Sequence, residues 1–422
     1  MGERQRSRYL LLDSRIIGRS EHVRLSVGGA VKEPNNPLFV EDRPWEVRFD
    51  NLYANVLYDD EERIYKCWYN PFIVCSATTN TPPEQRPTTR YRPDDKREMG
   101  VCYATSRDGI GWEKPDLALI DFDGSKHNNL VLRDVHGVGV YRDRHDADPA
   151  RRYKAFMTGG AATSRDGFYW ERYPCPEIRA VGDTHNNAFF DERTGRYVGF
   201  TRNWDRGQRL VARTESADFR TWTQAEEVMR ALPEEPHRQT YALIVFPCAG
   251  LYLGLVMILD TERDTVDAEV AWSADSIAWK RLCPGSPLIP RGGEGSYDRG
   301  CIYAAAYPIM REREVVLYYA GSDDTHGAWR RGCLARARLR LDGFAGMVPT
   351  SPGAVGQIVT VPVKCTGKSL RINADLAPGG NVHVGVIGAP ELGLGDCKPT
   401  ILSATDACVT WRTGGDLARH VG

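Results

Sequence analysis

The sequence predicts an all-β fold, a five-bladed β-propeller followed by a small β-sandwich-like C-terminal domain, and three observations carry that expectation. The turn pattern Ser-x-Asp-x-x-x-Trp occurs four times, beginning at Ser106, Ser164, Ser216 and Ser273. Ahead of each copy stand two apolar runs of strand length joined by a polar turn. After residue 347 the composition shifts at Pro349-Thr350-Ser351-Pro352-Gly353, a linker-like stretch followed by short alternating segments.

The turn motifs start 58, 52 and 57 residues apart. That is slightly longer than the repeat of about 40 to 50 residues usual for four-stranded blades, so insertions between strands are expected. In each copy the Asp side chain suits the turn's backbone amides and the Trp suits packing between blades. The paired runs are residues 54–58 with 64–69, 138–141 with 153–157, 188–190 with 197–201, and 242–246 with 251–258. A fifth pair, 304–310 with 315–320, leads into 333–341 without a further turn motif. The expected organisation is therefore an N-terminal segment over 1–44 packing on the propeller, the propeller over 45–348, and a truncated sandwich over 349–422. Strands are expected there at 357–363, 369–376, 381–387 and 408–412. Residues 70–99, rich in Pro, Thr and Arg, read equally well as the wall of a site or as a tolerated insertion.

Lys and Arg number 55 against 56 for Asp and Glu, so a net charge of -1 gives no electrostatic reason to expect nucleic acid or an anionic membrane; a neutral partner fits better. The 11 Cys are scattered, with no CxxC pair, and imply neither a zinc site nor a full disulfide framework. The polar start and the brief apolar run at 10–12 are too short for a signal segment. A cytoplasmic protein is the expectation, with no cofactor and no metal.

In a propeller the innermost strands line a central channel, and residues near their starts converge on one mouth. Reading back from the five innermost strands gives Glu46 and Asp50; Arg133, Asp134 and His136; Asp183, His185 and Asn186; His237, Gln239 and Tyr241; and Asp298, Arg299 and Tyr303. Trp204, in Arg202-Asn203-Trp204-Asp205, is a loop aromatic amid polar residues and suits a stacking platform. The four repeated aspartates, Asp108, Asp166, Asp218 and Asp275, read as structural, because chemistry on one axis does not need four equivalent copies. His237 and His326 lack metal-ligand spacing.

Pro44-Trp45-Glu46, Tyr65-Lys66-Cys67-Trp68-Tyr69, Gly182-Asp183-Thr184-His185-Asn186-Asn187-Ala188-Phe189-Phe190, Glu269-Val270-Ala271-Trp272-Ser273 and Leu341-Asp342-Gly343-Phe344 give the chain a resemblance to a superfamily. It resembles the propeller glycoside hydrolases of families 32 and 43, and more closely bacterial proteins with a family-32 N-terminal-domain-like region. The resemblance implies glycosidic-bond hydrolysis by paired carboxylates with a carbohydrate as partner. It casts Asp50, in competition with Glu46, as base or nucleophile, Asp134 as transition-state stabiliser, and Asp183 as an acid whose pKa burial should raise. His136, His185, Asn186, Arg202, Trp204, His237, Gln239, Tyr241, Asp298, Arg299 and Tyr303 would bind substrate. Two alternatives stand beside it. One is a non-catalytic carbohydrate-binding propeller; the other is a glycoside phosphorylase, whose phosphate would need a cationic pocket drawn from Arg133, Arg202, Arg238 and Arg299.

Overall fold

The computed structural model describes residues 7–93, 96–175, 182–414 and 416–421. The chain forms two compact units, one of Ala30–Ile309 with Val316–Arg338, the other of Met1–Gly29, Met310–Val315 and Leu339–Gly422.

The larger unit is a succession of antiparallel meanders. The first sheet runs Asn55–Asp59, Ile64–Tyr69, Arg97–Ser106 and Leu130–Arg133, with Phe72–Cys75 also pairing to Arg97–Ser106. The second is Gly139–Arg142, Tyr153–Met157, Gly160–Ser164 and Glu171–Pro174, and the third is Asn187–Asp191, Arg196–Asp205, Gln208–Ser216 and Glu226–Met229. The fourth is Arg238–Cys248, Leu251–Asp260, Thr265–Ser273 and Trp279–Leu282. A fifth group, Cys301–Ala304, Glu314–Ser322 and Gly332–Arg340, joins the fourth through one parallel bridge, Val266 to Cys301. Its outer edge is supplied from the far end of the chain. Val31 and Lys32 pair with Arg338 and Ala337, and Phe39 and Val40 pair with Leu334 and Cys333.

Local sequence explains the hairpins. Arg206-Gly207 and Ala249-Gly250 take positive φ at both positions, the paired left-handed turn that matches strand twist. In the Ser-x-Asp turns, Asp108 Oδ1 accepts from the amides of Ile110 and Gly111 while Ser106 Oγ accepts from Gly109, and the same pattern recurs at Asp166, Asp218 and Asp275. These aspartates are turn-builders. Adjoining sheets are locked by the turns as well: Trp68 Nε1 donates to the carbonyl of Gly167 at 2.8 Å, and Tyr318 hydroxyl donates to that of Gly109 at 2.8 Å.

The innermost strands have a backbone edge to satisfy, and asparagines do it. Asn55 accepts from the Val140 amide and donates to the Val138 carbonyl, while Asn187 does the same to Val245 and Leu243 of the following sheet. Asn186 joins the third sheet to Gly137 beside the second. Ala306 exchanges hydrogen bonds with Ala54 and Val56, placing the last inner strand beside the first. A second repeated device holds the outer ends of these strands: buried Asp143 and Asp191 accept from Tyr197 and Tyr252 of the next sheet at 2.8 and 2.6 Å.

The fifth innermost strand, expected over 304–310, is Cys301–Ala304, with Ile309–Met310 a separate short strand. In the smaller unit Ile17–Glu21 pairs with Gln357–Thr360, Val23–Val27 with Ala345–Pro349, and Arg371–Ala374 with Ala404–Cys408. Among the described residues these strands pair two by two. Residues 381–387, expected as a strand, hold only the bridge from Val382 to Thr400. A cluster of Leu392, Cys397, Val409, Trp411 and Leu417 forms this unit's core. Among the described residues no helix is long and apolar enough to cross a membrane.

Candidate functional site

Polar groups gather where the innermost strands of the larger unit begin. Just ahead of Asn55–Asp59, Leu52 and Tyr53 both take positive φ, 58° and 40°. Left-handed backbone in L-residues costs roughly 1 to 2 kcal/mol each and persists only where surroundings enforce it. Here Asn51 enforces it, donating from Nδ2 to the hydroxyls of Tyr53 at 2.8 Å and Tyr241 at 2.9 Å, so the first sheet is tied to the fourth.

Asn51 is also the hinge between two charged clusters. Its Oδ1 accepts from Nη2 of Arg330 at 2.9 Å, and the same nitrogen reaches Asp50 Oδ1 at 2.8 Å. Arg48 Nε adds a second donor to that Asp50 oxygen at 3.2 Å, and Tyr91 from the 70–99 segment stacks on the Arg48 guanidinium at 4.1 Å. Arg330 Nη1 meets the Tyr303 hydroxyl at 2.7 Å, which in turn bonds His326 Nδ1 at 2.8 Å. On the other side Tyr53 packs against His136 and His185, and His136 Nε2 lies 2.7 Å from Asp183 Oδ1.

Two carboxylates thus occupy one connected cluster, each with one oxygen held by a cation and Oδ2 left without a protein partner. Burial pushes the Asp50 carboxyl up, but Arg330 and Arg48 outweigh it and hold it well below the usual carboxylate range. Burial also opposes ionisation of Asp183, yet the His136 bond and charge, with help from Arg202, bring it down to about 2. The raised pKa expected for Asp183 is therefore not found: its side chain is 64% exposed and paired with a histidine. Because Asp183 is ionised, the shared hydrogen sits on His136 Nε2. His185 is buried and held neutral, its pKa depressed by burial to about 3, with Nε2 on Asn55 Oδ1 at 3.0 Å.

Other expected residues lie elsewhere or serve the scaffold. Glu46, with its side chain 0% exposed, is consumed by Lys114, Tyr69 and the amides of Asp42 and Arg43. Burial raises its pKa despite Lys114. Asp134 is exposed on a positive-φ turn, its carbonyl accepting from Arg172. Asp298 pairs with Lys32 and Tyr319, and Arg299 with Glu294 and Asp324. Asn186 is buried and braces Gly137 and Thr201. His237 contributes its carbonyl to the Thr261 turn. Of the arginines offered for a phosphate, Arg133 is bound by Glu98 and Arg238 by Glu269 and Glu235, whereas Arg202 has no carboxylate within bonding distance among the described residues.

Arg48, Asn51, Tyr53, Arg209, His326 and Arg330 were outside the sequence expectation. Strand register explains three of them. Asn187, first in its strand, pairs with Phe200, so the hairpin formed by Arg196–Asp205 and Gln208–Ser216 overhangs the strand start and carries Arg202, Trp204 and Arg209 to the same edge. Cys301 pairs with Ser322, so the polar 323–331 connection does the same for His326 and Arg330. The signal available was the run of Asp, Thr, His and Arg in that connection.

No family model matches the chain, and no curated protein is similar to it in sequence. Among solved structures it is similar to a β-1,2-mannobiose phosphorylase from Listeria innocua in complex with β-1,2-mannobiose, at 14% identity and a TM-score of 0.53, over 75% of this chain and 98% of that one. It is also similar to an N-acetylgalactosamine deacetylase from F. plautii in complex with blood group B trisaccharide, at 13% identity and a TM-score of 0.50, over 75% and 97%. At such identities the likeness is one of fold, and the two names show that the fold carries more than one chemistry on sugars.

Proposed function

We propose that the chain is a glycoside hydrolase whose five sheets are the blades of a propeller and whose site lies at one mouth of the central channel. The small unit, built of two-stranded pairs, is then a β accessory module. The observation that carries the reading is the carboxylate pair, Asp50 from the first sheet and Asp183 ahead of the third, linked through Asn51 and Tyr53 with one oxygen of each open.

Glycosidic cleavage requires a proton donor for the leaving oxygen and a carboxylate on the opposite face. Asp50, kept ionised by two guanidiniums, is suited to the second task as nucleophile or base. The proton comes from the His136–Asp183 pair: the hydrogen on Nε2 passes to Asp183 as its open oxygen engages the leaving group. Tyr53 and Tyr241, neutral because burial lifts them above the ordinary phenol range, keep hydroxyl hydrogens free for sugar oxygens. Trp204, 38% exposed, offers the stacking face.

The test is turnover of aryl glycosides with good and poor leaving groups. Asp183→Asn should lose about 10²- to 10⁴-fold on the poor one and much less on the good one. Asp50→Asn should lose activity on both. Equal, small losses in both variants would leave a sugar-binding propeller as the better description.

A further inference from the structure

We propose that Arg202 and Arg209 form an oxyanion subsite beside the carboxylate pair, taking either the carboxylate of an acidic sugar or free inorganic phosphate. Arg202 is 1% exposed. Its Nη2 donates to the Tyr241 carbonyl at 2.6 Å, and its buried Nε has no partner. Arg209 binds only neutral oxygen, that of Gln239 at 2.9 Å through Nη1, and its buried Nε is likewise unpartnered. Both guanidiniums face the same two rings. Arg202 sits 4.2 Å from the Tyr241 centroid and 5.8 Å from that of Trp204; Arg209 sits 5.5 and 4.7 Å from them.

Among the described residues neither arginine has a carboxylate within ion-pair distance. The carboxylate that biases Arg202 most visibly, Asp183, commits its bonded oxygen to His136. Contrast Arg330, equally buried and fully bonded to Asp50, Asn51 and Tyr303. A buried charge without a counter-ion costs several kcal/mol, and two such cations side by side repel. The repulsion is felt: Arg209 has its pKa lowered, by burial and then by Arg202. Paired guanidiniums with open, coplanar donors fit a planar or tetrahedral oxyanion, which would supply the missing charge. The wall they form with Trp204 places that anion next to a sugar ring, so an acidic glycoside, not the neutral one that the overall charge suggested, becomes the substrate class if the anion is part of the sugar.

The sugar context rests on the proposed hydrolase; the anion affinity does not, and the measurement needs no turnover. Titration calorimetry on the whole chain with inorganic phosphate, glucuronate and glucose should show at least one anion binding in preference to glucose, more weakly as salt is added. Arg209→Gln should weaken it by about tenfold or more. Phosphate preferred over glucuronate identifies the free ion; glucuronate preferred over both identifies an acidic sugar. Arg202→Met, which removes an uncompensated charge, should unfold at the same or higher denaturant concentration without anion and lose the stabilisation that the anion gives the parent chain. If neither anion binds below about 10 mM, or if Arg209→Gln binds as tightly as the parent, the subsite is refuted. Anion binding with unchanged aryl-glycoside turnover in Asp50→Asn and Asp183→Asn would refute the hydrolase and leave the subsite standing.

Discussion

Replacing Arg330 by methionine tests the anchor of the site. The side chain is fully buried and gives charge-assisted bonds to Asp50 and Asn51 and a third to Tyr303, at 2.7 to 2.9 Å. Methionine fills much of the volume but leaves Asp50 with Arg48 alone, at a longer 3.2 Å. Breaking a buried pair by removing one partner costs about 3 to 5 kcal/mol. Asp50 is 23% exposed on its side chain, and water can partly serve it, so a loss near 3 kcal/mol is expected. Guanidinium chloride unfolding followed by tryptophan fluorescence gives the number, and far-UV circular dichroism confirms that the fold persists. The double variant Asp50→Asn/Arg330→Met should be less destabilised than the sum of its parts, because the stranded charge is gone. A single variant within about 0.5 kcal/mol of the parent, or strict additivity in the double, would falsify the claim that this ion pair holds the cluster.

Asn187→Ala should destabilise by about 2 to 4 kcal/mol, since two buried backbone groups, the Leu243 carbonyl and Val245 amide, lose their partner together; unfolding midpoints would show it. His185 gives a pH signature. Its folded pKa, about 3, lies below the ordinary 6.5, so the unfolded chain takes the proton first. The stabilisation is whole above about pH 6.5 and is lost as pH falls towards 3. Between pH 7.5 and 5 the loss from this group is about 2 kcal/mol, and His185→Gln, which keeps an N–H for Asn55, should flatten that part of the profile. Trp204→Ala should raise KM for a bound sugar by about tenfold with kcat little changed, as expected for a stacking face that serves substrate and transition state alike.

Much of the fold was readable because its devices repeat. Four Ser-x-Asp turns and the strand pairs before them specify local geometry through short-range bonds, and local bonds leave a local pattern. The edge strand of the fifth group was not readable: Val31–Lys32 and Phe39–Val40 are two-residue pieces with no periodicity, and their partners lie at the other end of the sequence. The site was legible in part. Asp50, His136, Asp183, Tyr241 and Tyr303 stand at strand starts, where position alone finds them. Glu46 and Asp134 stand nearby in sequence but are turned elsewhere, one into a buried salt bridge with Lys114 and the other onto an exposed turn. Arg209, His326 and Arg330 reach the mouth from hairpin ends, which only the register reveals. Asn55 and Asn187 were hidden because an asparagine that bridges sheets looks the same in sequence as one that caps a turn.

The outer edge supplied by residues 31–40 sets an order of events during synthesis. The first pieces to leave the ribosome find their partner strand, Gly332–Arg340, only after about three hundred further residues have been made. Until then the meanders can form one by one from local contacts, but the last sheet lacks its edge and the early strands lack a mate. A nascent chain stalled before residue 332 should therefore hold several folded sheets yet stay protease-sensitive at its N-terminus. A chain beginning after residue 40 should complete every meander and still present Gly332–Arg340 as an open edge, the kind that recruits another strand and drives aggregation.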